Sequence, residues 1–313
     1  MVGLVGYKEK LYNYLTSYCE NNILDNEMKD VIHTLLHNRG KIFNSNDDFV
    51  WSEFYLLYSL IFINEDELES HFPIAAAIEL LILATDIMDE ISDNETKGEN
   101  ISQLGVPKAL TIANALLIEA FVLLLKNRSH LDLVFDELRN ASIGQWKDIS
   151  FTLSPENIVT EQEYFEVINM KSSSLVRLLF KVNGFDKNKH HSLIEAATNI
   201  GIAGQLKNDA TDIFVPEKND LFHLKATLPL IKAVEYSSQH ENGDLIKKLI
   251  SLRETQSTEI LIDIQKYIKN VGAIDYTLVL SKIHMNNAIT LIEKYRNNSN
   301  SNFVEYLVNY LLR

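Results

Sequence analysis

Five carboxylates and two lysines stand out in this sequence as residues whose types and spacing could do chemistry. In ATDIMDEI, Asp86, Asp89 and Glu90 stand at i, i+3 and i+4, which puts all three on one helical face within a turn. No basic residue lies within a turn of them in the sequence, so they repel one another unless cations bind. Clustered oxygen ligands suit hard cations, Mg²⁺ or Ca²⁺, better than zinc. The pattern returns in NIGIAGQLKNDATDIF, where Asp209 and Asp212 are i, i+3 and Gln205 lies one turn earlier. Either group alone also fits the solvated end of a helix. Two such turns on apolar helices could face each other across a cleft and clamp Mg²⁺ ions around one diphosphate. Lys171 (in NMKSSSL) and Lys225 (in LKATLP) each stand beside Ser or Thr hydroxyls in apolar surroundings. A lysine there could offer a point charge to a phosphate; taken singly, each also reads as a surface lysine whose stem covers apolar neighbours.

The elements that must hold these residues are helical. Apolar residues recur with the 3.6-residue period over 74–91, 106–126, 160–182, 190–213, 225–237, 244–268, 274–296 and 302–312. Only 11 Gly and 5 Pro occur in 313 residues, too few for a fold rich in strands and tight turns. Pro107 and Pro229 suit the first turns of helices. Polar clusters at 44–48, 92–100, 154–157, 215–220 and 297–302 break the pattern, and none is long enough for a domain linker. The expectation is an all-α, single-domain bundle over 1–313. The stretches 75–91 and 109–125 are apolar nearly all round, which predicts central helices and sets the first acidic cluster inside the protein or at the floor of a cleft.

Composition narrows the partners. A formal net charge of −14 is unsuited to nucleic acid, and an anionic ligand would need a metal or a local basic cluster as a bridge. One cysteine, Cys19, leaves no internal disulfide and reads as a core thiol. Lys8, Glu9 and Lys10 interrupt the N-terminus where a signal peptide is apolar. No run of about 18 apolar residues occurs, so no spanning helix is expected and the protein reads as cytoplasmic. The histidines show no ligand spacing, and Trp51, Trp146 and most tyrosines read as packing or interface residues.

In this order, the motifs resemble those of the trans-isoprenyl diphosphate synthase family over nearly the whole chain. Arg39-Gly40-Lys41 is similar to its early glycine–lysine motif, and TDIMDE to its first aspartate-rich motif. Gly144-Gln145-Trp146-Lys147-Asp148 is similar to GQxxD, and Lys171-Ser172 to its Lys-Thr pair. Gln205 to Asp212 is similar to the second aspartate-rich motif, with Asn208 in place of its first Asp. Asp220-Leu221 and Lys225-Ala-Thr227-Leu-Pro229 follow in the family's order.

That resemblance implies an isoprenoid-synthase helical bundle around a central active-site cavity, usually a homodimer. It implies Mg²⁺ held by Asp86, Asp89, Glu90, Asp209 and Asp212. Arg39, Lys41, Gln145, Lys171, Gln205 and Lys225 would bind an allylic isoprenyl diphosphate, with Asp86, Asp89, Asp209, Lys171 and Lys225 carrying catalysis. Leu80 and Leu81 stand where the family sets tail length, and neither is aromatic. The departures also matter. Thr85 replaces the first motif's leading Asp, Asn94 and Glu95 stand where the family has paired arginines, and Asn44 stands where it has another arginine. Those cations hold isopentenyl diphosphate. Their loss resembles the ComQ-type branch, whose acceptor is a tryptophan of a precursor peptide in bacterial quorum sensing. The alternatives are a chain-elongating synthase making farnesyl or geranylgeranyl diphosphate, and a non-catalytic subunit of a heteromeric synthase.

Overall fold

A computed structural model describes residues 2–23, 25–38, 50–93, 104–127, 130–184, 187–215, 218, 220–297 and 299–313. Among these every regular element is helical: α1 (Val2–Asn22), α2 (Asn26–Asn38), α3 (Trp51–Ser59), a 3₁₀ turn (Glu65–His71), α4 (Phe72–Ser92), α5 (Val106–Lys126), α6 (Leu131–Ile149), α7 (Glu161–Lys181), α8 (Lys187–Asp212), the single turn α9 (Asp220–His223), α10 (Leu228–His240), α11 (Asp244–Thr255), α12 (Thr258–Asn270), α13 (Ala273–Glu293) and α14 (Ser301–Leu311). The only extended pairing among them consists of isolated bridges, one joining Thr152 to Lys225 and one joining Ser154 to Asn157.

Helix starts follow local chemistry. A capping box opens α7: Thr160 Oγ1 accepts the Glu163 N–H, and the Glu163 carboxylate accepts the Thr160 N–H at 2.8 Å. Pro107 and Pro229 both sit in first turns, where a missing N–H costs nothing. The expected helix over 244–268 is two helices. Gln256 takes a left-handed φ of 52°, and the Ser257 hydroxyl then caps α12 by accepting the Ile260 N–H.

α6 was absent from the periodic segments because its pattern is inverted. It buries Glu137 and Gly144 while exposing Phe135, Ile143, Trp146 and Ile149. Glu137 can be buried because Arg177 Nε meets it at 3.0 Å and Lys181 Nζ meets its other oxygen at 2.5 Å. α4 is central as expected, with an unbroken buried run from Ile74 to Ala84. α5 is not buried all round: Leu110, Ile118 and Leu125 face outward, with Ile118 and Leu125 60% and 66% exposed. The sequence holds longer apolar helical stretches than expected. The helical run Glu65–Ser92 and α5 are each long and apolar enough to cross a bilayer, with 72% and 39% of their apolar windows buried in the protein. Burial inside the bundle accounts for the apolarity of the first. Cys19 is fully buried, as a core thiol should be, and burial pushes it up to about 12.

Two apolar clusters share α7 and α8. Val176–Phe180 and Leu193–Ile200 join the larger one with α1 to α5. Tyr164, Ile168 and Ile202–Ile213 join the smaller one with α10, α11 and α12. Between these halves α7 is gripped on two sides. A Cβ on Gly144 of α6 would lie 2.3 Å from the Lys171 backbone nitrogen, and one on Gly201 of α8 would lie 2.4 Å from the Ser173 Cα. The obstructing atoms are backbone, so no side-chain rotation can make room. Gly144→Ala should therefore destabilise the fold by about 1–3 kcal/mol, read as a lower urea midpoint, and it should weaken ligand binding through the displaced Lys171.

Candidate active site

A polar cavity with a volume of about 120 Å³ opens at the ends of several helices. Its wall holds Asp89 and Asp93 from the end of α4, Asp148 from α6, and Tyr164 and Lys171 from α7. From α8 come Gln205, Asn208, Asp209 and Asp212, followed by Lys218, Asp220, Lys225 and Thr227. Lys225 is fixed by backbone as well as by charge. Leu153 N–H donates to the Leu224 carbonyl at 2.8 Å, and Ala226 N–H to the Phe151 carbonyl at 2.9 Å. Leu224 accepts a left-handed φ of 53° to make that pairing, a conformation costing about 1 kcal/mol or more for a side-chain-bearing residue.

One carboxylate organises the lysines. Asp148 Oδ2 lies 2.7 Å from Lys171 Nζ and 3.2 Å from Lys225 Nζ. Lys171 reaches on to Asp89 at 3.0 Å, and Lys225 to Asp93 at 2.8 Å. Burial opposes charge on Asp148, yet the two ammonium groups outweigh it and hold the carboxyl below its usual range. Burial likewise works against charge on Lys171 and Lys225, but their aspartate partners push both above the normal lysine value. Both lysines are therefore cationic at neutral pH.

A second chain of contacts starts on the neighbouring helix. Ser172 Oγ donates to Gln205 Oε1 at 2.6 Å, Gln205 Nε2 donates to Asp209 Oδ1 at 2.6 Å, and Tyr164 OH donates to Asp209 Oδ2 at 2.7 Å. Burial pushes Asp209 up to about 7 even though Tyr164 and Gln205 favour its charged form. Asp212 is also raised by burial, with Lys218 opposing. The Tyr164 hydroxyl is raised by burial and by Asp209, so it stays a donor.

Of the residues singled out in the sequence, Asp89, Asp209, Asp212, Lys171, Gln205 and Lys225 are brought together on this wall. Asp86 is exposed, and neither it nor Glu90 is on the wall. Gln145 lies three residues before Asp148; its amide nitrogen is buried without a hydrogen-bond partner among the described residues. Arg39, Lys41, Asn44, Asn94 and Glu95 lie outside the described residues. Tyr164, Asp93, Lys218 and Asp220 were not singled out as site residues. Asp93 was readable as i+4 from Asp89, and Tyr164 carried no sequence signal beyond its type.

Oxygen donors alone suit Mg²⁺. Among the described residues no three carboxylates or imidazoles stand close enough to hold one ion. The donor set thus fits a cation that takes one or two carboxylates and completes its shell with water and phosphate oxygens, as Mg²⁺ does.

The family model for polyprenyl synthetase matches residues 25–268. The chain belongs to the polyprenyl synthetase family. A short chain isoprenyl diphosphate synthase of Methanothermobacter thermautotrophicus is 26% identical over 241 residues, covering 70% of this chain and 72% of that protein. The tryptophan prenyltransferase ComQ of Bacillus subtilis subsp. natto is 28% identical over 229 residues, covering 71% and 70%. A polyprenyl synthase from Caulobacter crescentus, solved with calcium and isoprenyl diphosphate, shares the fold with a TM-score of 0.79 at 20% identity, over 99% of this chain and 96% of that one. As a polyprenyl synthetase homologue, the protein is a prenyltransferase.

The raised Asp209 gives a pH test. Its folded state holds the proton that the unfolded chain has already released, so stability falls as pH rises from about 3.8 to about 7. Asp209→Asn should raise the melting temperature of the metal-free protein, by a margin that widens across that window and levels off above it. The wild type should gain more stability from added Mg²⁺ as pH rises through about 7, and the variant should lose that pH dependence.

Proposed function

We propose that this prenyltransferase takes a geranyl or farnesyl group from its diphosphate and transfers it to a tryptophan of a precursor peptide. The observation that carries this reading is the charge of the cavity. Its basic residues among the described ones are Lys171, Lys218 and Lys225, and six aspartates face them. That inventory suits one diphosphate bridged by cations; a second diphosphate would lie against surplus carboxylate. The neutral and acidic residues Asn44, Asn94 and Glu95 support the same reading, as does similarity to ComQ. Similarity to a short chain isoprenyl diphosphate synthase at comparable identity favours chain elongation as the second reading.

Mg²⁺ ions, each held by one or two of the carboxylates Asp89, Asp209 and Asp212, would neutralise charge on the diphosphate and its departing form. Lys171 and Lys225 would donate to the leaving oxygens, preorganised by Asp148 before substrate arrives. The allylic C–O bond breaks with its electron pair leaving on pyrophosphate. The indole's π electrons form the new C–C bond, and the ring then loses a proton. The apolar interior beside α4, including the buried Leu80 and Leu81, would take the prenyl tail and keep water from the cation. A diphosphate substrate made inside the cell fits a cytoplasmic enzyme.

The exposed apolar faces of α5 and α6 fit a homodimer. Phe121 and Phe135 join the two faces, their ring centroids 5.1 Å apart, and Ile118, Leu125, Ile143 and Trp146 extend the surface. Such a patch needs covering.

Incubation with farnesyl or geranyl diphosphate and Mg²⁺ should prenylate a tryptophan peptide, read by mass spectrometry, and should yield no elongated diphosphate when isopentenyl diphosphate is offered instead. Elongation would overturn the reading in favour of a synthase. Turnover with neither acceptor would point to a non-catalytic subunit. Ile118→Asp should shift the molecular mass measured by light scattering from dimer to monomer without unfolding the chain.

A further inference from the structure

Resting on the diphosphate reading, we propose that Asp93 is a direct cation ligand working with Asp89, which moves the metal position on α4 one turn toward the helix end. The two carboxylates that α4 presents to the cavity are Asp89 and Asp93, spaced i, i+4 and therefore stacked on one face. The residue four before Asp89 has no carboxylate to offer. Thr85 donates its hydroxyl to the Ile82 carbonyl at 2.9 Å, and it is absent from the cavity wall. The nearby Asp86 is absent from that wall too.

Both wall carboxylates already face an ammonium group across the cavity. Asp89 meets Lys171 at 3.0 Å and Asp93 meets Lys225 at 2.8 Å, two parallel acid–base pairs joined through Asp148. Each pair has the composition of a clamp before loading. When a cation and a phosphate group enter together, the cation takes the carboxylate and the phosphate oxygens take the lysine. Every charge stays compensated throughout. Asp93 is also the C-cap of α4, where the helix dipole is negative and favours a cation.

Thr227, two residues past Lys225 on the same wall, is buried, and its hydroxyl has no hydrogen-bond partner among the described residues. A buried donor left unpaired is rare in folded proteins. A phosphate oxygen or an ion-bound water arriving at the Asp93–Lys225 pair is the acceptor it lacks.

The test measures binding rather than turnover. A farnesyl thiodiphosphate probe, which holds the diphosphate shape without reacting, is titrated calorimetrically into the full chain in Mg²⁺ and in EDTA. Mg²⁺ should tighten binding to the wild type. Asp93→Asn should lose about tenfold or more of that gain, whereas Asp86→Asn should stay within about threefold of the wild type. Asp93→Glu, which keeps the carboxylate, should recover part of the loss, and melting temperatures in EDTA confirm that each variant is folded. The proposal is overturned if Asp93→Asn keeps the Mg²⁺ gain, or if Asp86→Asn loses as much. Tighter binding of Asp93→Asn in EDTA with the gain intact would make Asp93 only a counter-ion of Lys225. If the wild type gains nothing from Mg²⁺, the diphosphate reading fails along with the ligand assignment, a result distinct from the others.

Discussion

Asp148 accepts two ammonium groups on one part-buried oxygen, and the cavity end of the bundle is arranged around that contact. A carboxylate held largely out of water is expensive, and so are two lysines held there; together they are tolerable because each compensates another. Removing the carboxylate would leave Lys171 and Lys225 facing each other in a poorly solvated wall. α6, α7 and the 224–227 segment must therefore meet at one point. The glycine contacts at Gly144 and Gly201 let the helices approach closely enough for that meeting, with no flexible side chain taking up the slack.

Charge balance then explains the open side of the cavity. The lysines are held by aspartates instead of projecting into water, so the site is preorganised for an anion that arrives with its own cations. A bare diphosphate would have to displace Asp89 and Asp93 and leave them unpaired. A diphosphate carrying Mg²⁺ displaces them onto the ion. The same arrangement would let a chain of net charge −14 bind a polyanion.

Much of this was legible in the residues. The long helices followed from apolar periodicity, and the wall residues Asp89, Lys171, Gln205, Asp209, Asp212 and Lys225 from spacing and motif. The sequence left four things hidden, each for a tertiary reason. α6 escaped because its buried face carries Glu137 and Gly144, residues that count as polar or neutral until Arg177, Lys181 and the α7 backbone are known to meet them. Asp93 was read as part of a polar loop, since nothing local reveals that Lys225 reaches it from far along the chain. Asp86 and Asp89 looked equivalent on a helical wheel, and only the direction of the cavity separates them. The uniform apolarity of α5 likewise did not distinguish a helix enclosed by its own chain from one with a bare side.

The pairing of Thr152 with Lys225 has a consequence for how the protein comes to exist. These residues flank the α7–α8 hairpin, and closing the chain between them carries a large loop entropy until that hairpin has formed. Hairpin first and bridge second is the cheaper order. Lys225 is thus held by a pairing that closes only once the chain between it and Thr152 has folded back on itself. In that order a newly made chain would form the α7–α8 hairpin before Lys225 takes its place beside Asp148.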